Sequence, residues 1–75
     1  METAPRQPIR EWSSVELAGW LRGVLGFETV AEVALREEID GAMAVEMIRA
    51  DWMELGASGL KAAKIITEVR RESRK

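Results

Sequence analysis

The stretch Trp12-Ser13-Ser14-Val15-Glu16-Leu17-Ala18-Gly19-Trp20-Leu21-Arg22-Gly23-Val24 decides the fold. Ser13 and Glu16 have the spacing of a capping box, in which the serine hydroxyl accepts from the third helical N–H and the glutamate reaches back to the cap. Trp12 stands just before the cap, where it can staple onto Leu17 in the first turn. Leu17, Trp20, Leu21 and Val24 then recur at i, i+3, i+4 and i+7, which predicts one apolar stripe on an amphipathic helix. Gly26 is the predicted stop, because a residue without Cβ takes the left-handed conformation that ends helices.

The rest of the chain repeats this pattern of cap, stripe and stop. Thr29-Val30-Ala31-Glu32 reads as a second capping box, with Val30, Val33 and Ala34 facing inward. Ile39-Asp40-Gly41 ends that segment, and Asp40 caps a third helix whose apolar positions are Ala44, Val45, Met47 and Ile48. Asp51-Trp52-Met53-Glu54-Leu55 predicts a further turn or two, stopped by Gly56. Ser58 caps the last helix, whose stripe is Ala62, Ile65, Ile66 and Val69. Arg70, Arg71, Arg74 and Lys75 suit the negative end of that helix dipole. Nowhere do β-branched and polar residues alternate over a strand length. The expected fold is therefore all-α, a bundle of four short helices and one longer C-terminal helix. Its expected core holds Trp20, Leu21, Ile39, Val45, Leu55, Ile65, Ile66 and Val69. Residues 1–10, with Pro5 and Pro8, read as a flexible lead-in with nothing to pack. Residues 11–72 read as the helical domain and 73–75 as a basic tail.

Composition narrows the chemistry. Seventy-five residues allow one domain with one small core, and a chain of that size buries only about 60% of its unfolded surface. There is no cysteine and no histidine. That removes disulfides, the commonest metal ligands and the usual general base at neutral pH. Ser13, Ser14, Ser58 and Ser73 have no histidine to activate them, so no catalytic residue is expected. Glu37, Glu38 and Asp40 form an acidic knot without calcium-loop spacing, and no metal site is expected. Gly56-Ala57-Ser58-Gly59 lacks both a preceding strand and a Gly-Lys-Ser/Thr ending, so no phosphate loop or cofactor site is expected. No apolar run reaches the length of a membrane span, and the N-terminus lacks the apolar stretch of a secretory signal. An intracellular protein, or a piece of one, fits these features.

The net charge of −2 hides a dipolar distribution. Residues 28–54 carry eight acidic groups against Arg36 and Arg49, a net of −6, whereas residues 55–75 carry six basic groups against Glu68 and Glu72, a net of +4. Residues 1–27 balance. A chain so divided can attract a copy of itself through opposite faces.

In this order and spacing the residues resemble a sterile alpha motif (SAM) domain, over about residues 12–70. Trp12 with the Ser13 cap, Val15, Trp20 and Leu21 match that family's opening. Gly26-Phe27-Glu28 matches the turn into its second helix, and Glu38-Ile39-Asp40-Gly41 matches its "IDG" turn. Ala44, Val45 and Met47 stand at its "LL-x-L" positions. Asp51-Trp52-Met53-Glu54-Leu55-Gly56 stands where it has "DL-x-x-LG", and Lys64-Ile65-Ile66 with Val69 is similar to "KIL-x-x-I". The resemblance implies that Trp12, Trp20, Trp52 and Met47 are core rather than contact residues. Met43 and Met53 fall off the main stripe. Four positions depart from the pattern: Ala34 replaces an aromatic, Ile48 a threonine cap, Ala57 a branched aliphatic, and Ser58-Gly59-Leu60-Lys61 a Gly-His-Arg opening. Trp20 and Trp52 are large enough to fill the volume that Ala34 leaves.

The resemblance implies a protein-interaction module that docks head-to-tail onto another SAM domain or onto itself, with helical polymers as one outcome. The acidic mid-loop surface would be Glu37, Glu38, Met43, Glu46 and Asp51. The end-helix surface would be Ser58, Leu60, Lys61 and Lys64, where backbone N–H groups at a helix start add positive potential. The alternative within the family is RNA binding through Lys61, Lys64, Arg70 and Arg71, against which the acidic sequence pI of 5.1 counts. The four basic residues of the 70–75 tail give only weak, salt-sensitive attraction to an anionic membrane.

Overall fold

The computed structural model describes residues 5–75. A 3₁₀ turn (Ile9–Glu11) leads into α1 (Ser14–Gly19), which continues without a break as a π-helical turn (Trp20–Val24). Then follow α2 (Glu28–Arg36), α3 (Gly41–Ala44), α4 (Arg49–Glu54) and the longer α5 (Gly59–Ser73). The architecture is all-α with five helices, and no strand occurs among the described residues.

Local hydrogen bonds start most of these helices. The Ser13 hydroxyl accepts from the Glu16 N–H at 3.1 Å and the Glu16 carboxylate accepts from the Ser13 N–H at 2.9 Å, which completes the box. Asp40 accepts from the Met43 N–H at 2.9 Å, and Ser58 accepts from the Lys61 N–H at 3.2 Å. The second box is different. Helix α2 begins at Glu28 with Phe27 as its cap, so Thr29 lies inside the helix and caps nothing. Gly26, at φ +78°, turns the chain early enough for the Phe27 carbonyl to accept from the Ala31 N–H at 2.9 Å. Helix α4 has Ile48 at its cap position, and that side chain offers no acceptor. Asp51 supplies half a capping box instead, accepting from the Ile48 N–H at 3.0 Å.

Helix α2 ends in a Schellman motif. The Ile39 N–H donates to the Ala34 carbonyl at 2.9 Å, and the Glu38 N–H donates to the Leu35 carbonyl at 3.1 Å. The residue in the left-handed conformation is Glu38, at φ +56°, where glycine is usual. The motif turns the chain directly into Asp40 and α3.

One core joins all the elements. Trp12, Leu17, Ala18, Trp20, Leu21, Val30, Ala31, Ala34, Ile39, Ala44, Trp52, Leu55, Ala57, Ala62, Ile65 and Val69 are buried in it. The Trp12 and Trp20 rings meet edge-to-face, with centroids 5.4 Å apart and planes at 64°. Trp52 and Ala34 are both fully buried in this core, in keeping with a small residue at one core position balanced by a large one at another. Val45 and Ile66, expected in the core, pack on its edge and are only half-buried, as is Met47.

Three apolar assignments are corrected. Val24 is exposed, because the π turn inserts an extra residue per turn and rotates it off the stripe. Ile48 is 63% exposed, because α3 stops at Ala44 and the extended backbone at 48 breaks the helical register. The third concerns the lead-in. Ile9 is 1% exposed and belongs to the core, so residues 1–10 do contain something to pack. The 3₁₀ turn that carries Ile9 lies against α3 and α5. It is tied down further by Trp12, whose indole N–H donates to the Gln7 carbonyl at 2.8 Å. Residues 1–4 of the lead-in lie outside the described residues. At the other end, α5 runs to Ser73, and Lys75 pairs with Glu72 at 2.8 Å.

Candidate functional site

Two surface features stand apart on the fold. The first lies where α3, the turn after it and α4 meet the end of α2. Met43 and Met47 floor two adjoining open hollows of about 460 and 360 Å³. The first is rimmed by Asp40, Glu46 and Asp51, with Ala42 beside them. The second is rimmed by Glu37, Asp51 and Glu54, with Ile39 and Leu55 adding to its apolar wall. Met43 is 46% exposed and lines both hollows, whose rims together carry five carboxylates. None of these acids forms an ion pair among the described residues. Asp40 and Asp51 are held by their capping bonds, which fixes two of the five charges in place.

The second feature is the start of α5. Leu60 is 87% exposed, the most exposed large apolar side chain among those described. It is the second helical residue after the Ser58 cap. Lys64 lies one turn on, on the same face as Leu60, and Lys61 adjoins Leu60 in the chain, so both cations flank it. Lys61 stands over the Phe27 ring, with Nζ 5.8 Å from the centroid, an exposed cation–π contact of about 0.5–1 kcal/mol. Neither lysine forms an ion pair among the described residues, so their charge is left unneutralised. Farther along α5 the basic residues are partly engaged, since Arg71 pairs with Glu68 at 3.3 Å.

The geometry brings together four of the five acidic-surface residues read from the sequence: Glu37, Met43, Glu46 and Asp51. Glu38 lines neither hollow. Three contributors were missed: Met47, Asp40 and Glu54. The sequence reads Asp40 as a cap and as part of the acidic knot with Glu37 and Glu38, and its i+3 spacing to Met43 is the signal that would have added it to this surface. All four end-helix residues, Ser58, Leu60, Lys61 and Lys64, fall on one helix start. The aromatic platform under Lys61 had no local signal, because Phe27 is distant in sequence.

An apolar floor ringed by carboxylates can receive an apolar side chain flanked by cations. The start of α5 presents such a side chain, and the two surfaces share no lining residue. No group of three acidic residues is placed to hold a metal ion among the described residues. No described helix is long and apolar enough to cross a membrane.

No protein-family model, curated protein or solved structure matches this chain. The two surfaces therefore stand on their own geometry and on the order of the sequence motifs.

Proposed function

We propose that this chain is a protein-interaction module, similar to a SAM domain, that associates head-to-tail with a second copy of itself. Leu60 of one copy enters the Met43–Met47 hollow of the next, while Lys61 and Lys64 meet the carboxylates on its rim. The observation that carries this reading is the pairing of a fully presented, cation-flanked leucine with an apolar, acid-rimmed hollow on one molecule. Each copy carries one surface of each kind, so the contact is heterologous and can continue into an open chain of subunits. Burying Leu60 supplies the apolar part, and the opposed charges supply steering and register.

The reading is tested by sedimentation velocity over a concentration series at low and at high salt. The average mass is expected to rise with concentration at low salt. It is expected to fall when salt is added, because exposed charge is screened over about 10 Å at 0.1 M ionic strength. Leu60→Ala is expected to leave the fold intact and to weaken association by about 2 kcal/mol, roughly thirtyfold in Kd. A chain that stays monomeric at high concentration and low salt, or a Leu60→Ala variant that assembles like the wild type, overturns the reading.

A further inference from the structure

The floor of the acidic hollow is built from sulfur. The chain has four methionines and no cysteine, so thioethers are its most readily oxidised aliphatic groups. Met43 and Met47 line both hollows. Met43 is 46% exposed and Met47 is half-buried, so a small oxidant in solution reaches Met43 first. Met53 is exposed to the same degree, at 47%, but lines neither hollow. The fold thus provides one accessible thioether inside the contact surface and another outside it.

We propose that Met43 is a sulfoxidation site whose modification turns the head-to-tail contact off, an inference that rests on the self-association proposed above. The oxidant is a peroxide. A sulfur lone pair attacks the peroxide oxygen, the O–O bond breaks and an S–O bond forms. Sulfur loses two electrons, and hydrogen peroxide is reduced to water. The product, a sulfoxide, is polar where the thioether was apolar. Its oxygen is a hydrogen-bond acceptor set beneath Leu60, which has no donor to offer, and among carboxylates, which also accept only and which hold the incoming Lys61 and Lys64 ammonium groups at the rim. Docking would strip water from that oxygen without replacing the lost hydrogen bond. Enzymatic reduction of the sulfoxide restores the apolar floor.

The test uses the full chain at one concentration in low salt, before and after dilute hydrogen peroxide. Sedimentation velocity reads assembly, and peptide mass spectrometry locates the added oxygen. Oxidation at Met43 is expected to weaken assembly roughly tenfold or more, the scale of one buried polar group left unpaired. Met43→Leu removes the thioether, and its assembly, compared with its own untreated sample, is expected not to change with the same dose. Met53→Leu is expected to stay as sensitive as the wild type. Assembly that persists with Met43 oxidised overturns the inference and leaves the self-association reading standing. A Met43→Leu variant as sensitive as the wild type overturns the assignment to Met43. An untreated chain that never assembles overturns both, and the untreated sample alone separates that outcome from the others.

Discussion

The backbone N–H of Gly41 donates to the carbonyl of Trp12 at 2.9 Å. That bond brings the start of α3 against the 3₁₀ turn so closely that a Cβ on Gly41 would run into the backbone carbonyl of Ile9. Residues far apart in sequence meet backbone to backbone there. The glycine of the Ile39-Asp40-Gly41 turn is required by this approach, since the φ values in the left-handed region belong to Gly26, Gly56 and Glu38.

Gly41→Ala is accordingly expected to cost about 3 kcal/mol or more, because backbone rather than a flexible side chain must give way. Gly26→Ala is the contrast. Its Cβ would meet nothing, and only the left-handed φ of +78° opposes it, a cost of about 1–2 kcal/mol. Urea unfolding of the two variants checks the order. Equal losses would mean that the Ile9 carbonyl moves aside easily.

Ile9→Ala is expected to destabilise the fold by about 2–4 kcal/mol, the cost of truncating a buried aliphatic side chain. For a domain of this size that is a fall in Tm of roughly 10–25 °C. A melt within a few degrees of the wild type would return the whole lead-in to a dispensable role.

Two further substitutions are expected to depart from the usual destabilising effect, one by adding stability and one by costing little. Glu38→Gly relieves a non-glycine residue held at φ +56° and is expected to add about 1 kcal/mol of stability. Because Glu38 lines neither hollow, assembly is expected to be unchanged. Trp52 is fully buried, and its indole N–H has no acceptor among the described residues. Trp52→Phe removes that unpaired donor, worth about 1–3 kcal/mol, which offsets most of the lost volume. Thermal melts of both variants decide the matter. A loss of several kcal/mol in Trp52→Phe would mean that the indole N–H is satisfied in solution.

What could be read from the sequence was what is local. The caps Ser13, Asp40 and Ser58 each act over three residues, so spacing alone located them. The α5 stripe followed because that helix runs unbroken through four turns. Thr29 failed because a cap needs extended backbone, and the turn at Gly26 had already committed the chain to helix. Val24 failed because a π turn changes the period on which the stripe was counted. Ile9 had no local signal at all, since its burial depends on Gly41 and α5. The candidate site divides in the same way. Leu60, Lys61 and Lys64 share the start of one helix, and their grouping was legible. The hollow draws on α2, α3 and α4, so Met47 and Glu54 emerged only once those elements were assembled.

The most direct measurement of the central claim mixes two broken surfaces. Lys61→Glu damages the helix start and Met43→Glu damages the hollow, and both add negative charge, so the two damaged surfaces cannot pair with each other. Each variant alone is expected to sediment as a monomer at low salt, since like charges would face each other across a contact emptied of water. An equimolar mixture retains one intact hollow and one intact helix start, and is expected to give a dimer that grows no further at any concentration. Larger assemblies in either variant alone, or a mixture that remains monomeric where the wild type assembles, would contradict head-to-tail association through these two surfaces.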